Sequence, residues 1–322
     1  LYPVSIRLQE LIEKEVFFSN ETRGKELEEK VASLKKGEIL LIQNTRYEDL
    51  VGKKESSCNE ELAKYWASLG DIFINDAYGT CHRKHASNVG IAKYLPSGIG
   101  FLVEEEINKI DGILEEDTHP FVVIMGGAKV HDKIKVIQNL IQKCDLLLIG
   151  GGMAYTFLAA RNYPIGKSIL DEESTEFCKK ILNNYEEKIV LPIDHLVSGS
   201  ITSDKVSVKR ICDTTELDMG FDIGPQTIQL FKEKLSPAKR VIINGPMGCF
   251  ENSNYQEGTK EIYQFLTDNH IKTLVGGGDS AASVNQLSDP KKFYHISTGG
   301  GATLEYLEGT ILPGISVIDE KK

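Results

Sequence analysis

From Phe121 onward the chain repeats one local pattern five times: a short apolar run, a cluster of glycines, then residues with helical spacing. Phe121–Met125 leads to Gly126-Gly127 and a helix over His131–Lys143, and Asp145–Ile149 leads to Gly150-Gly151-Gly152 and a helix from Met153. Val241–Asn244 leads to Gly245-Pro246-Met247-Gly248, Thr273–Val275 to Gly276-Gly277-Gly278 with a helix from Asp279, and Tyr294–Ser297 to Thr298-Gly299-Gly300-Gly301 with a helix through Leu307. Short apolar runs without strict alternation suit strands buried on both faces, so five such units predict one parallel sheet covered by helices. In such sheets ligands bind beyond the carboxyl ends of the strands, where these glycines stand.

Upstream, Glu38–Gln43 and Asp71–Asn75 read as two more short buried strands with an amphipathic helix, Asn59–Leu69, between them. Gly98–Leu114 carries apolar residues at 103, 107, 110 and 114, the stripe of a connecting helix. A length of 322 residues exceeds what one core usually holds. The predicted architecture is α/β, with two Rossmann-like parallel-sheet domains, the first incomplete: residues 1–98 a partial domain, 99–116 the connecting helix, 117–311 the second domain and 312–322 a C-terminal tail.

Composition narrows the partners. A net charge of −10 argues against general nucleic-acid binding, which needs a basic surface. No run of about 18 apolar residues and no signal-peptide pattern occurs, so the expected location is the cytoplasm, away from membranes. Six scattered cysteines without a C-x-x-C pair point to reduced, structural thiols. Residue 1 is Leu, where a natural start would be Met or a small residue, so the expectation is that a segment precedes it.

A helix N-terminus offers unpaired N–H groups and the positive end of the helix dipole, and glycine lets a phosphate come close. A single glycine turn can also serve chain geometry alone; four on one sheet edge predict phosphates as cargo. Gly166-Lys167-Ser168 is not a P-loop, since position 161 is Arg where the pattern requires Gly. Gly276–Ala281 fits a dinucleotide fingerprint but stands near the chain's end instead of opening a domain, which disfavours an oxidoreductase. Lys129 and Lys133, four apart in the first helical turn after a strand, oppose the dipole unless an anion is present; a solvated lysine pair is the alternative. Asp279, after three glycines, can cap a helix or hold Mg²⁺ beside phosphates. His82-Arg83-Lys84-His85 concentrates basic groups after the strand ending at Asn75, and Arg46 stands at the matching end of its neighbour, together an anion site separate from the first.

Gln43–Tyr47, Phe73–Val89, Gly126–Lys133, Gly150–Phe157, Asp222–Pro225, Asn244–Glu251, Gly276–Ala281 and Ser297–Gly309 stand together in an order and spacing that resembles phosphoglycerate kinases. The resemblance implies two domains facing across a cleft, closing about a connecting helix to move a phosphoryl group reversibly between 1,3-bisphosphoglycerate and ADP, giving 3-phosphoglycerate and ATP in glycolysis. It implies phosphoglycerate contacts at Arg46, His82 and Arg83. On the nucleotide side it implies Gly127, Ala128, Lys129, Lys133, Gly151, Gly245, Met247, Glu251, Gly277, Gly278, Asp279 and Ser280. Mg²⁺ is implied at Asp279 with Asp132, and the transferring group at Lys129 and Gly299, Gly300 and Gly301. A monomer is expected, as in most of the family.

Gln43 and Tyr47 stand where Glu and Phe are usual, and Asp218 where Trp is common. The family's opening strand with its Asp and Asn ligands, its catalytic Arg and its His/Arg-bearing loop would all precede the position of Leu1. On that reading residues 1–322 alone bind nucleotide and turn over negligibly, or the chain is a non-catalytic nucleotide-binding fragment if it naturally starts at Leu1.

Overall fold

The computed structural model describes residues 1–318; the last four positions of the expected tail lie outside the described residues. The chain forms two compact units, Leu1–Glu104 with the chain from Ile311 onward, and Glu105–Thr310. The boundary falls inside one helix, Phe101–Leu114. No helix among the described residues is long and apolar enough to cross a membrane.

In the first unit, strands β1 (Val16–Phe18) and β2 (Ile39–Leu41) form one parallel pair, and β3 (Phe73–Asn75) and β4 (Ser97–Ile99) another. The expected helix is present as Glu60–Ala67, capped by the Asn59 side chain, which accepts from Leu62 N. It buries Leu62, Ala63 and Trp66. Two expectations are corrected. The strands on either side of this helix are not fully buried: Ile39–Leu41 are half-buried and Ile74 is exposed. Gly98 and Ile99 belong to β4, so the connecting helix starts only at Phe101. Past Ile311 the chain returns to this unit, where Gly314 N donates to Cys81 O at 2.8 Å and Asn75 Nδ2 donates to Gly314 O at 2.9 Å.

The second unit is built on a six-stranded parallel sheet. Its strands are β5 (Phe121–Met125), β6 (Leu146–Ile149), β7 (Ile189–Val190), β11 (Arg240–Asn244), β12 (Lys272–Gly276) and β13 (His295–Ile296), in the order β13-β12-β11-β5-β6-β7. The five expected strands are all in it; β7, two residues long, is an unexpected sixth. Every residue of β5 and β11 is buried, as strands covered on both faces must be. Helix Ile134–Lys143 turns Val136, Ile137, Leu140 and Ile141 inward, and Glu257–Asp268 contributes Ile262, Tyr263 and Leu266. A second sheet, antiparallel and not foreseen, consists of β8 (Asp194–Ser198), β9 (Ser207–Arg210) and β10 (Met219–Ile223) in the order β10-β8-β9.

Register places the glycines. Met125 pairs with Asn244 and Ile149, and Asn244 with Gly276, so the turns after β5, β6, β11 and β12 leave one edge of the sheet together.

Candidate functional site

These turns interlock through their backbones. Gly127 N donates to Pro246 O at 2.9 Å, Gly151 N to Met247 O at 3.0 Å, and Met153 N to Gly127 O at 2.9 Å. Gly151 has φ +62°, and a Cβ there would overlap the Gly127 backbone, so glycine is required by contact as well as by conformation. The buried Met247 thioether lies against Gly150. Ser280, fully buried, accepts from Gly245 N at 2.6 Å and ties the turn after β11 to the helix after β12.

Above the turns opens a cavity of about 340 Å³. Its lining combines Gly127, Ala128, Gly151, Gly152 and Asp279 with the apolar side chains of Ile169, Met219, Phe221 and Phe250, and Gly220 and Glu251 also face it. Phe221 is braced by Tyr255, ring centroids 4.8 Å apart. A lining that joins glycine turns and a carboxylate to hydrophobic side chains suits a ligand with an apolar body and an anionic part.

The lysine pair differs from expectation. Residues 131–133 form a 3-10 turn and the α-helix starts at Ile134, so Lys129 lies in the preceding loop, exposed. Lys133 is drawn inward, donating to Gly126 O at 2.5 Å and Asn244 O at 3.1 Å. Burial pushes its pKa down to about 8, while the charges of Asp279 and Asp132 pull it upward. Asp279 is not a cap: Gly277 holds the N-cap position of helix Gly278–Leu287, with Gly278 first and Asp279 second, both exposed. No group of three or more His, Cys, Asp or Glu suited to a metal occurs among the described residues. One or two carboxylates beside a phosphate is the donor set Mg²⁺ takes, the remaining positions being phosphate and water.

The turn after β13 is held from beneath by Glu106, a fully buried residue in helix Phe101–Leu114. Its carboxylate accepts from Thr298 N and Thr298 Oγ1, each at 2.7 Å, and lies 2.8 Å from His295 Nε2. Burial raises its pKa, but the hydrogen bonds from His295 and Thr298 outweigh it, and the net shift is downward. Gly300, with φ +52°, then caps helix Gly301–Leu307, and Gly299 N donates to Ser297 Oγ at 3.2 Å. Nothing in the apolar stripe of the sequence marked Glu106.

In the first unit, Arg46 Nη1 lies 3.4 Å from His85 Nε2, and Arg83 Nε donates to His82 Nε2 at 3.1 Å. Burial lowers the His85 pKa, and the charges of Arg46 and Arg83 lower it further against Glu55 and Asp49. His85 is the residue the candidate set omitted, although the run from His82 to His85 contained it. Asp49 pairs with Arg46 at 3.1 Å.

The sequence profile described as phosphoglycerate kinase matches residues 1–310. The chain belongs to the phosphoglycerate kinase family. A phosphoglycerate kinase of Lacticaseibacillus casei is 51% identical over all of this chain and 82% of its own length, and one of Listeria monocytogenes is 52% identical with the same coverage. Among solved structures, the phosphoglycerate kinase of Coxiella burnetii superposes with a TM-score of 0.86 at 34% identity, covering 98% of this chain and 79% of that one. That of Pyrococcus horikoshii gives 0.86 at 29%, covering 98% and 81%. The chain is a glycolytic phosphotransferase, and a match along its whole length does not favour a non-catalytic nucleotide binder.

Within this phosphoglycerate kinase fold the unusual residues have local partners. Gln43 Oε1 accepts from Asn44 N at 2.9 Å, and Tyr47 is exposed. Asp218, in place of the common Trp, accepts from Lys209 Nζ at 2.6 Å and from Thr215 N and Oγ1; those bonds outweigh its burial and hold it at about 2.

Proposed function

We propose that the cavity of the second unit binds ADP or ATP with the base against Ile169, Met219, Phe221 and Phe250 and the phosphates toward Gly127, Ala128, Lys133 and Asp279. Gly151, Gly245, Met247, Gly277, Gly278 and Ser280 shape that cradle, and Glu251 stands at the apolar end. The basic centre of Arg46, His82 and Arg83 takes 3-phosphoglycerate or 1,3-bisphosphoglycerate. The reaction is reversible phosphoryl transfer between these partners, in the cytoplasm and by a monomer.

A single observation carries the nucleotide reading: Lys133 donates to Gly126 O and Asn244 O at the glycine turns, beside a cavity lined by Gly127, Gly151, Asp279 and apolar side chains. Asp279, with Asp132, would hold Mg²⁺. Bound there, the ion would neutralise phosphate charge. Transfer from an acyl phosphate needs no deprotonated side-chain nucleophile, so the chain's own work is positioning and charge stabilisation. Lys129, exposed, is suited to meet the transferring group, as is the turn Gly299–Gly301, which leads into helix Gly301–Leu307.

Calorimetry of ADP binding with and without Mg²⁺ tests this reading. The metal should tighten binding to the unaltered protein, and Asp279→Ala should lose about 10- to 100-fold of metal-dependent affinity, the usual scale for disturbing a metal site. The same Mg²⁺ dependence in both proteins would rule out the metal role.

A further inference from the structure

Behind the apolar wall of the cavity lies a buried polar chain that no phosphate or metal explains. Tyr155 Oη is 3.0 Å from His195 Nδ1, His195 Nε2 is 3.0 Å from Thr214 Oγ1, and Thr214 Oγ1 donates to Ile211 O at 2.7 Å. Tyr155, His195 and Thr214 are all buried. Their protons can be assigned by counting. Thr214 has one hydroxyl proton, spent on Ile211 O, so it accepts from His195 Nε2–H; Nδ1 is then the acceptor, and Tyr155 donates to it. The imidazole is neutral, in agreement with burial pushing its pKa down to about 4.

The chain spans two walls of the cavity. Tyr155 belongs to helix Met153–Ala160, which grows out of the Gly150–Gly152 turn; His195 belongs to β8, paired with β10. Gly151, Gly152, Gly220 and Phe221 all line the cavity. A Cβ on Gly220 would overlap the Tyr155 hydroxyl and fall 2.9 Å from His195 Nδ1, so the pair sits directly behind that wall. The β10 register shifts between Gly220 and Asp222, which leaves Phe221 outside the regular ladder and dependent on what backs it.

We infer that Tyr155, His195 and Thr214 are positioning residues that fix the spacing between the Gly151–Gly152 wall and the Gly220–Phe221 wall, and so the cavity's affinity and selectivity for the purine base. This rests on the reading of that cavity as the nucleotide site. Tyr155→Phe leaves a buried acceptor unmet and releases the brace, so ADP affinity falls about tenfold and the preference for ADP over GDP narrows. Tyr155→Phe with His195→Leu removes both polar partners together and returns ADP affinity to within about threefold of the unaltered protein.

The experiment is calorimetry of ADP and GDP with each variant, beside thermal melts. Unchanged ADP affinity and selectivity in Tyr155→Phe, with only a lower Tm, overturns the inference, because the chain would then merely pack. Should Tyr155→Phe fail to fold, Thr214→Val strips His195 of its acceptor and must lower ADP affinity, while Thr214→Ser must keep it; equal affinity in all three proteins is equally decisive against the brace. Ile169→Trp fills the cavity and separates the two levels of the argument. Undiminished ADP binding there removes the nucleotide reading itself, whereas loss there with unchanged Tyr155→Phe removes only this inference.

Discussion

Lys133 illustrates what single residues disclose and conceal. Its spacing from Lys129 pointed to an anion, but its burial could not be read from the sequence: it follows from Gly126 O and Asn244 O converging, which depends on β5 lying beside β11. With a folded pKa near 8 against an ordinary lysine value of about 10.4, the unfolded chain binds more protons between those values, and stability rises with pH across that window. A nucleotide phosphate adds negative charge beside the ammonium and raises the pKa again. ADP binding at pH 8 without metal should therefore take up about half a proton. Calorimetry in two buffers of different ionisation enthalpy reads this directly, and Lys133→Met should abolish it. Binding heats at pH 8 that do not depend on the buffer would mean that Lys133 does not face the phosphates.

At the scale of elements, the glycine-ended strands were legible because each follows a short, largely apolar run and is punctuated in the same way. β7 was not, since two residues carry no period. β8 was hidden by its polar buried residues: Asp194 and His195 break the apolar signature while being held by neighbours, Asp194 by the N–H groups of Gln226 and Thr227 at 3.0 and 2.7 Å. Helix Phe101–Leu114 was legible as a helix, yet its buried face includes Glu106 as well as Val103, Ile110 and Ile113. Glu106 links that helix to the turn after β13, and Glu106→Gln places an amide donor against donors. We expect a loss of about 1–3 kcal/mol in urea denaturation at pH 7. Because the folded pKa is depressed, the contribution is present above the ordinary glutamate range and is lost as pH falls through the folded value. The gap between the two proteins should thus close in acid. Coincident unfolding midpoints at pH 7 would show that the carboxylate charge does not hold the turn.

For the whole molecule, the order of eight motifs made the family legible, because no single glycine turn is specific but their sequence along the chain is. The return of the chain after Ile311 to pack on Asn75 and Cys81 was not, since contacts more than two hundred residues apart leave no local pattern. The cavity proposed for the nucleotide draws all its walls from the second unit, and the basic centre draws Arg46, His82, Arg83 and His85 from the first. Sites in separate units should respond separately to substitution. Burial lowers the pKa of His85, and the guanidinium charges of Arg46 and Arg83 add to that effect. Removing the Arg83 guanidinium should cost one charge-assisted contact to an anionic ligand, worth about 1.5–3 kcal/mol, or roughly a 10- to 100-fold weaker affinity for 3-phosphoglycerate. ADP affinity should stay within about twofold, since additive behaviour is the rule for groups that share no partner. Titrating each ligand calorimetrically into Arg83→Ala, with circular dichroism to verify the fold, measures both numbers. A folded Arg83→Ala protein that loses ADP affinity as steeply as phosphoglycerate affinity would contradict the assignment of one substrate to each unit.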